Sequence, residues 1–266
     1  MNTVTSQDGT TIAFDQLGQG NTVILVDGAL GHRQDPRQEQ LADLLAERFT
    51  VLNYDRRGRG DSTDTSPYAV EREIEDIDAL IEYAGGTAFV YGMSSGAILA
   101  LKAAQQLGAK ITKLALYEPP FILDDSRPPL PSDYVAQLNE AIADNNRSQA
   151  VEIFMTQAIL LPEDYLAPMK ADPMWASMEK VAHTLAYDDM VSQDLMLGQP
   201  WAEGTWSAVS ADTVVITGEQ SEAFFHEAAQ KLVDDLAQAT TQSLAGQDHN
   251  VDMTVLAPVL VSFFEA

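Results

Sequence analysis

Short apolar runs that alternate with helix-spaced stretches constrain this chain more than any other feature. Val23-Ile24-Leu25-Val26 is one such run, and similar ones recur at Val51-Leu52-Asn53-Tyr54, Ala88-Phe89-Val90-Tyr91, Lys113-Leu114-Ala115-Leu116-Tyr117 and Thr213-Val214-Val215-Ile216. A strand covered on both faces has no solvent side, so its apolar residues run on without polar alternation. Between most of the runs the apolar residues take a helical period: Leu41, Leu44 and Leu45, then Ile74, Ile77, Leu80 and Ile81, then Ile98, Leu99, Leu101 and Leu107. Alternating strand and helix predict an α/β chain with a mostly parallel central sheet and helices on both faces. Ahead of this pattern, Gln7-Asp8-Gly9-Thr10 separates Val4 from Ile12 and Phe14, which predicts a β-hairpin. From Leu123 to Trp206 the alternation stops, and helix-like spacing such as Met174, Trp175 and Met178 reads as an inserted helical cap. The expected division is a core domain over residues 1–122 and 207–266 and a cap over 123–206. A last strand near Gln242-Ser243-Leu244 and a final apolar helix over 251–264 close the chain.

With 266 residues, 45% of them hydrophobic and 21% charged, the chain can bury a core of ordinary globular size. Forty acidic residues against fifteen basic ones give a net charge of -25, which repels nucleic acid phosphates and anionic lipid headgroups. Neither is expected as a partner. The absence of cysteine excludes disulfides, thiolate metal sites and cysteine nucleophiles together. Met1 to Phe14 lacks the basic start and apolar run of a signal peptide, and no stretch has the length to span a bilayer. The expectation is a soluble, cytoplasmic monomer or homodimer.

Gly92-Met93-Ser94-Ser95-Gly96 follows the strand ending at Tyr91 and opens the helical run through Leu107. A serine on a sharp strand-to-helix turn stands free at the sheet's C-terminal edge, and flanking glycines let strand and helix approach without side-chain clashes. The helix N-terminus offers backbone N–H groups to a developing oxyanion, Ser95 N–H among them. The bland alternative is an ordinary turn rich in Gly and Ser. Ser95 itself lies one residue past the symmetric position, which leaves it a backbone role.

Together these features resemble the α/β-hydrolase fold family in its serine-nucleophile branch, and the resemblance extends over the whole chain. Tyr54-Asp55-Arg56-Arg57-Gly58-Arg59-Gly60-Asp61-Ser62 is similar to the family's D-x-R-G-x-G-x-S turn, whose residues hold a loop together. Asp27-Gly28-Ala29-Leu30-Gly31-His32 stands where the family more often has His-Gly, so Asp27 is a departure. Carried over, the pattern implies an oxyanion hole from the backbone N–H groups of Ala29 and Ser95. His249, in Gly246-Gln247-Asp248-His249 before the final helix, occupies the place of the family's catalytic histidine, which His32, His183 and His226 do not. The usual acid position, in Thr217-Gly218-Glu219-Gln220-Ser221-Glu222, holds Ser221. Some branches, one group of haloalkane dehalogenases among them, carry the acid at the end of the sixth strand, which here is Glu118. Glu118 is the expected acid, with Glu219 and Glu222 as its competitors.

The resemblance implies a catalytic triad of Ser94, His249 and Glu118, no metal and no organic cofactor, and an esterase-like reaction on a small hydrophobic ester. Carbon–carbon bond or thioester cleavage on the same triad, and a non-catalytic small-ligand receptor on the same fold, are the rivals. Met93, Trp175 and Met178 are the expected substrate-binding residues. Phe154, Met155, Tyr165, Met174, Trp201 and Trp206 are read with them as a roof over an apolar pocket. The competing role for each is plain packing of the cap.

Overall fold

The computed structural model of the chain describes residues 1–192 and 195–266. The opening hairpin is present: β1 (Asn2–Thr5) pairs antiparallel with β2 (Thr11–Gly18), and β2 pairs antiparallel with β4 (Thr50–Tyr54). The remaining strands, β3 (Thr22–Val26), β5 (Ala88–Met93), β6 (Ile111–Tyr117), β7 (Asp212–Gly218) and β8 (Ala239–Leu244), extend a parallel array. The order across the sheet is β1-β2-β4-β3-β5-β6-β7-β8. Each apolar run of the sequence is therefore a strand, and each strand's alternate residues enter opposite cores.

Val23, Leu25, Val51, Tyr91, Ala115 and Tyr117 pack on one face with α1 (Pro36–Ala46) and α10 (Met253–Glu265). Ile24, Val26, Leu52 and Val90 pack on the other with α2 (Val70–Tyr83), α3 (Ser95–Leu107) and α9 (Ala223–Asp235). Helix starts follow local chemistry: Asp35 and Asp252 accept N–H groups from the first turns of α1 and α10, which satisfies donors that have no intrahelical acceptor.

Between β6 and β7 the chain runs through α4 (Tyr134–Ala143), α5 (Arg147–Ile153), α6 (Leu166–Lys170), α7 (Pro173–Val181) and α8 (Leu185–Ser192). Their apolar faces make a separate small core from Tyr134, Leu138, Val151, Trp175, Met178 and Leu185. Ala29 and Leu30, in the loop after β3, pack against that core from below.

Because β3 sits between β4 and β5, the connections leaving β3 and β5 turn to opposite sides of the sheet. Open α/β sheets bind ligands outside the C-terminal ends of the strands at such a switch point. Among the described residues no helix is long and apolar enough to cross a membrane.

Candidate active site

Ser94 lies between the last residue of β5 and the first of α3, with φ 55° and ψ -127°. An L-residue adopts that conformation only under strain held by its surroundings. Here the hold is the sheet: Ser94 N–H donates to Tyr117 O at 2.9 Å, one strand away. The turn is as tight as the sequence implies. A Cβ on Gly96 would come within 2.4 Å of Val26 O, and one on Gly92 within 2.5 Å of Gly96 O.

Glu118 continues the same pattern one strand further along. It follows β6 with φ 46°, and its N–H donates to Ile216 O of β7 at 3.0 Å. Its side chain is fully buried. Oε2 lies 2.7 Å from His249 Nδ1, while Oε1 accepts from Gly218 N–H at 2.7 Å and from the Ser221 hydroxyl. Three partners around one carboxylate fix its orientation.

His249 sits between β8 and α10, half-exposed, with its ring stacked on Phe225 at 5.0 Å and 14°. The loop that carries it is tied to the sheet, because Tyr117 Oη donates to Asp248 O at 2.6 Å and Gln220 N–H to Gln247 O at 2.8 Å. Of the three carboxylates weighed for this place, Glu118 is the one bonded to His249. Glu219 is exposed and accepts from Gly246 N–H at 2.9 Å, and Glu222 is exposed at the start of α9. The other histidines have separate neighbours: His32 faces Ser177 at 3.3 Å and His226 faces Thr217 at 3.2 Å. Burial holds the His183 imidazole below the usual histidine range.

The loop after β3 closes over the serine. A Cβ on Gly28 would lie 3.0 Å from Met93 O and 3.1 Å from Ser94 Cβ, so a side chain there would crowd the turn that carries the hydroxyl. Asp27, the departure from the family's histidine, accepts from Gly28 N–H at 2.8 Å. Burial raises its carboxyl to about 6 against that hydrogen bond and the charge of Arg59.

Met93, expected at the substrate, is half-buried at the end of β5 and packs toward the α1/α10 face. Trp175 and Met178, 4% and 8% exposed, lie inside the small core of the helical segment, with Trp175 Nε1 donating to Ser148 Oγ at 2.9 Å. Their burial there agrees with the packing alternative weighed for them. The pocket roof expected from the other aromatic and Met residues divides on folding. Trp206 and Trp201 pack with Phe121 against the sheet's α2/α3 face, at ring separations of 4.9 Å for Phe121–Trp201 and 6.1 Å for Trp201–Trp206. Tyr165 and Met174 point to solvent, 61% and 62% exposed. Helical spacing alone does not distinguish these three fates.

Sequence reasoning missed several groups around the site. Ser221, which the sequence marks only as a departure at the usual acid position, donates its hydroxyl to the Glu118 carboxylate. Phe225, Arg56, Arg59 and Asp188 carried no motif signal as ligands of the site. Asp188 is 93 residues from Ser95, whose hydroxyl donates to it at 2.8 Å.

A sequence profile described as "Alpha/beta hydrolase family" matches residues 7–261. The chain belongs to the alpha/beta hydrolase family. This hydrolase is 49% identical to an alpha/beta hydrolase from Sphaerobacter thermophilus, with a TM-score of 0.90 over 99% of this chain and 100% of that one. An enol-lactonase from Burkholderia xenovorans has the same fold at a TM-score of 0.72 and 18% identity, covering 100% of both chains. A match to the uncharacterized hydrolase YraK of Bacillus subtilis is 33% identical over 97 residues, which span 35% of this chain and 35% of that protein.

Proposed function

We propose that this alpha/beta hydrolase cleaves a small hydrophobic carboxylic ester through an acyl-enzyme at Ser94. The observation that carries the reading is the 2.7 Å contact between Glu118 Oε2 and His249 Nδ1, at the sheet edge where β5 delivers Ser94 on a strained turn.

With Nδ1–H given to Glu118, the neutral imidazole keeps Nε2 as its base. Nε2 takes the Ser94 proton as Oγ attacks the carbonyl carbon. The oxyanion that forms is held by the N–H groups of Ala29 and Ser95. Collapse breaks the ester bond, and His249 returns the proton to the leaving alkoxide. Water then repeats the sequence on the acyl-enzyme, releasing the acid and restoring Ser94. Glu118 keeps the ring oriented and stabilises the imidazolium without taking the proton itself.

The helices between β6 and β7 act as a cap in this reading, supported by the packing of their small core on Ala29 and Leu30. The enol-lactonase of similar fold, and an esterase from Exiguobacterium antarcticum at a TM-score of 0.72 and 19% identity, support acyl chemistry on this scaffold. Incubation with a fluorophosphonate probe tests the reading. A single adduct on Ser94, absent in Ser94→Ala, is expected, and a folded protein that labels on Ser95 or not at all would sink it.

A further inference from the structure

The D-x-R-G-x-G-x-S turn of this chain carries three arginines, and they divide in two directions. Arg57, at the position the motif specifies, forms a bidentate pair with Asp76 at 2.8 and 2.7 Å, together with a contact to Asp8 at 2.8 Å. Arg56 and Arg59 occupy the motif's open positions and point under the oxyanion loop. Arg59 Nη1 donates to Gly28 O, and to Gly31 O at 3.2 Å. Its Nη2 donates to Asp188 Oδ2 of α8 at 2.7 Å, and its Nε to Thr184 Oγ1 at 3.1 Å. Arg56 Nη1 donates to Asp188 Oδ1 at 2.6 Å and to Asp27 O at 3.3 Å, while its other nitrogens hold Glu73 at 2.8 and 2.6 Å. The Asp188 carboxylate also accepts from Ser95 Oγ, at 2.8 Å.

We infer that Arg59, held by Asp188 of the helical segment, is a positioning residue that aims both amide donors of the site, Ala29 N–H and Ser95 N–H. This rests on the acyl-transfer reading above. The argument is one of peptide geometry. In a planar trans peptide the carbonyl and the following N–H point in opposite directions. Pinning Gly28 O onto the guanidinium therefore turns Ala29 N–H away from Arg59, in a loop whose Gly28 already lies against Ser94. Gly28 N–H is spent on Asp27, so the loop offers its next amide. On the other side, Ser95 opens α3, and its N–H has no acceptor within the helix. The hydroxyl of the same residue is anchored to the carboxylate that anchors Arg59.

A single buried carboxylate thus sets the relative position of two backbone segments that are remote in sequence. Burial works to raise the Asp188 carboxyl, yet the charges of Arg59 and Arg56 outweigh it and keep the group ionised. Arg59 and Asp188 are 1% and 4% exposed, so the network is shielded from competing water. The guanidinium suits this task because its donors are fixed in one plane, whereas an ammonium can swing among acceptors.

Three proteins test the inference: wild type, Arg59→Lys and Ser95→Ala. Each is assayed for p-nitrophenyl acetate hydrolysis and for inhibition by a methyl trifluoromethyl ketone, whose adduct with the serine carries an oxyanion. Arg59→Lys should lower kcat about 100-fold with KM changed less than about twofold, the pattern for loss of oxyanion stabilisation. The ketone should weaken by the same factor as kcat/KM. Ser95→Ala keeps its amide and leaves Asp188 paired with both arginines, so it decides the matter if Arg59→Lys does not fold. Its expected loss is about tenfold in kcat, again matched in the ketone. Unchanged kcat in folded variants, or a drop in thermal midpoint with ketone affinity intact, would overturn the positioning role alone. A wild type that neither turns over nor takes a fluorophosphonate on Ser94 would overturn the acyl-transfer reading and this inference with it.

Discussion

Glu118 occupies a place in the chain where few residues would do. Its backbone has a positive φ, its side chain is sealed from solvent, and both carboxylate oxygens are occupied, by His249 on one and by Gly218 and Ser221 on the other. An amide of the same size cannot accept at both ends, so Glu118→Gln reverses the orientation it imposes on the histidine or loses the bond. The expected result is a fall in kcat on the order of 10⁴-fold with KM nearly unchanged, read from ester hydrolysis. Glu222→Gln, at an exposed site, should retain near-normal turnover, and the opposite ranking would move the acid to the turn after β7. Asp27 gives a pH prediction at the same scale. Burial lifts its carboxyl from 3.8 to about 6, so the folded chain holds this proton more tightly than the unfolded one. Its contribution to stability is then largest below about pH 4 and is lost as pH rises to about 6. Asp27→Asn should flatten that slope and stabilise the protein at neutral pH by about 1 to 2 kcal/mol, since half-burial reduces the full effect. Urea midpoints of both proteins across that pH range provide the check.

Among the elements, α7 and α3 illustrate how the same helical spacing serves different ends. In α3 nearly the whole helix is buried against the sheet and its neighbours, and its N-terminus follows directly on the strained turn at Ser94. In α7 it turns Trp175 and Met178 into the small core that the helical segment builds for itself, where Trp175 Nε1 also contacts Glu179 at 3.0 Å. Trp175→Ala removes a large, almost fully buried ring and should cost about 3 kcal/mol in urea unfolding. The order of preference among p-nitrophenyl esters of increasing acyl length should stay as it is in the wild type. A shifted chain-length profile in a protein of unchanged stability would instead place this ring at the substrate.

Across the whole molecule the acidic excess has an internal counterpart. Arg33, Arg56, Arg57 and Arg59 are nearly fully buried, and their partners Asp55, Glu73, Asp76 and Asp188 are buried with them. These pairs neutralise one another inside the fold, so nearly all of the net charge of -25 is borne by the surface. Self-repulsion there is screened by salt, whereas the buried pairs are not. Raising sodium chloride from about 20 mM to about 500 mM should therefore raise the thermal midpoint by a few degrees, as seen by circular dichroism. A midpoint that falls with salt would mean that attractive surface pairs outweigh the repulsion.

Much of this architecture was legible in the chain because it depends on local order. A strand buried on both faces must be apolar throughout, so Val23–Val26 and its counterparts announced the sheet, and the turn between strand and helix announced Ser94 by its flanking glycines. The stretch between Leu123 and Trp206 was legible only as helical. Which of its residues face the sheet, the small core or solvent depends on how α4 to α8 pack, and helical periodicity is blind to a second core competing for the same side chains. Pairings between charged groups were the least legible. Glu118 with His249 was reached only through the family resemblance, and Asp188 with Arg56, Arg59 and Ser95 by nothing in the sequence, because each joins segments far apart in the chain, with partners chosen by the register of β5, β6 and β7 and by the docking of α8. A carboxylate in a one-dimensional sequence has many candidate cations, and burial in the folded chain is what leaves it with two.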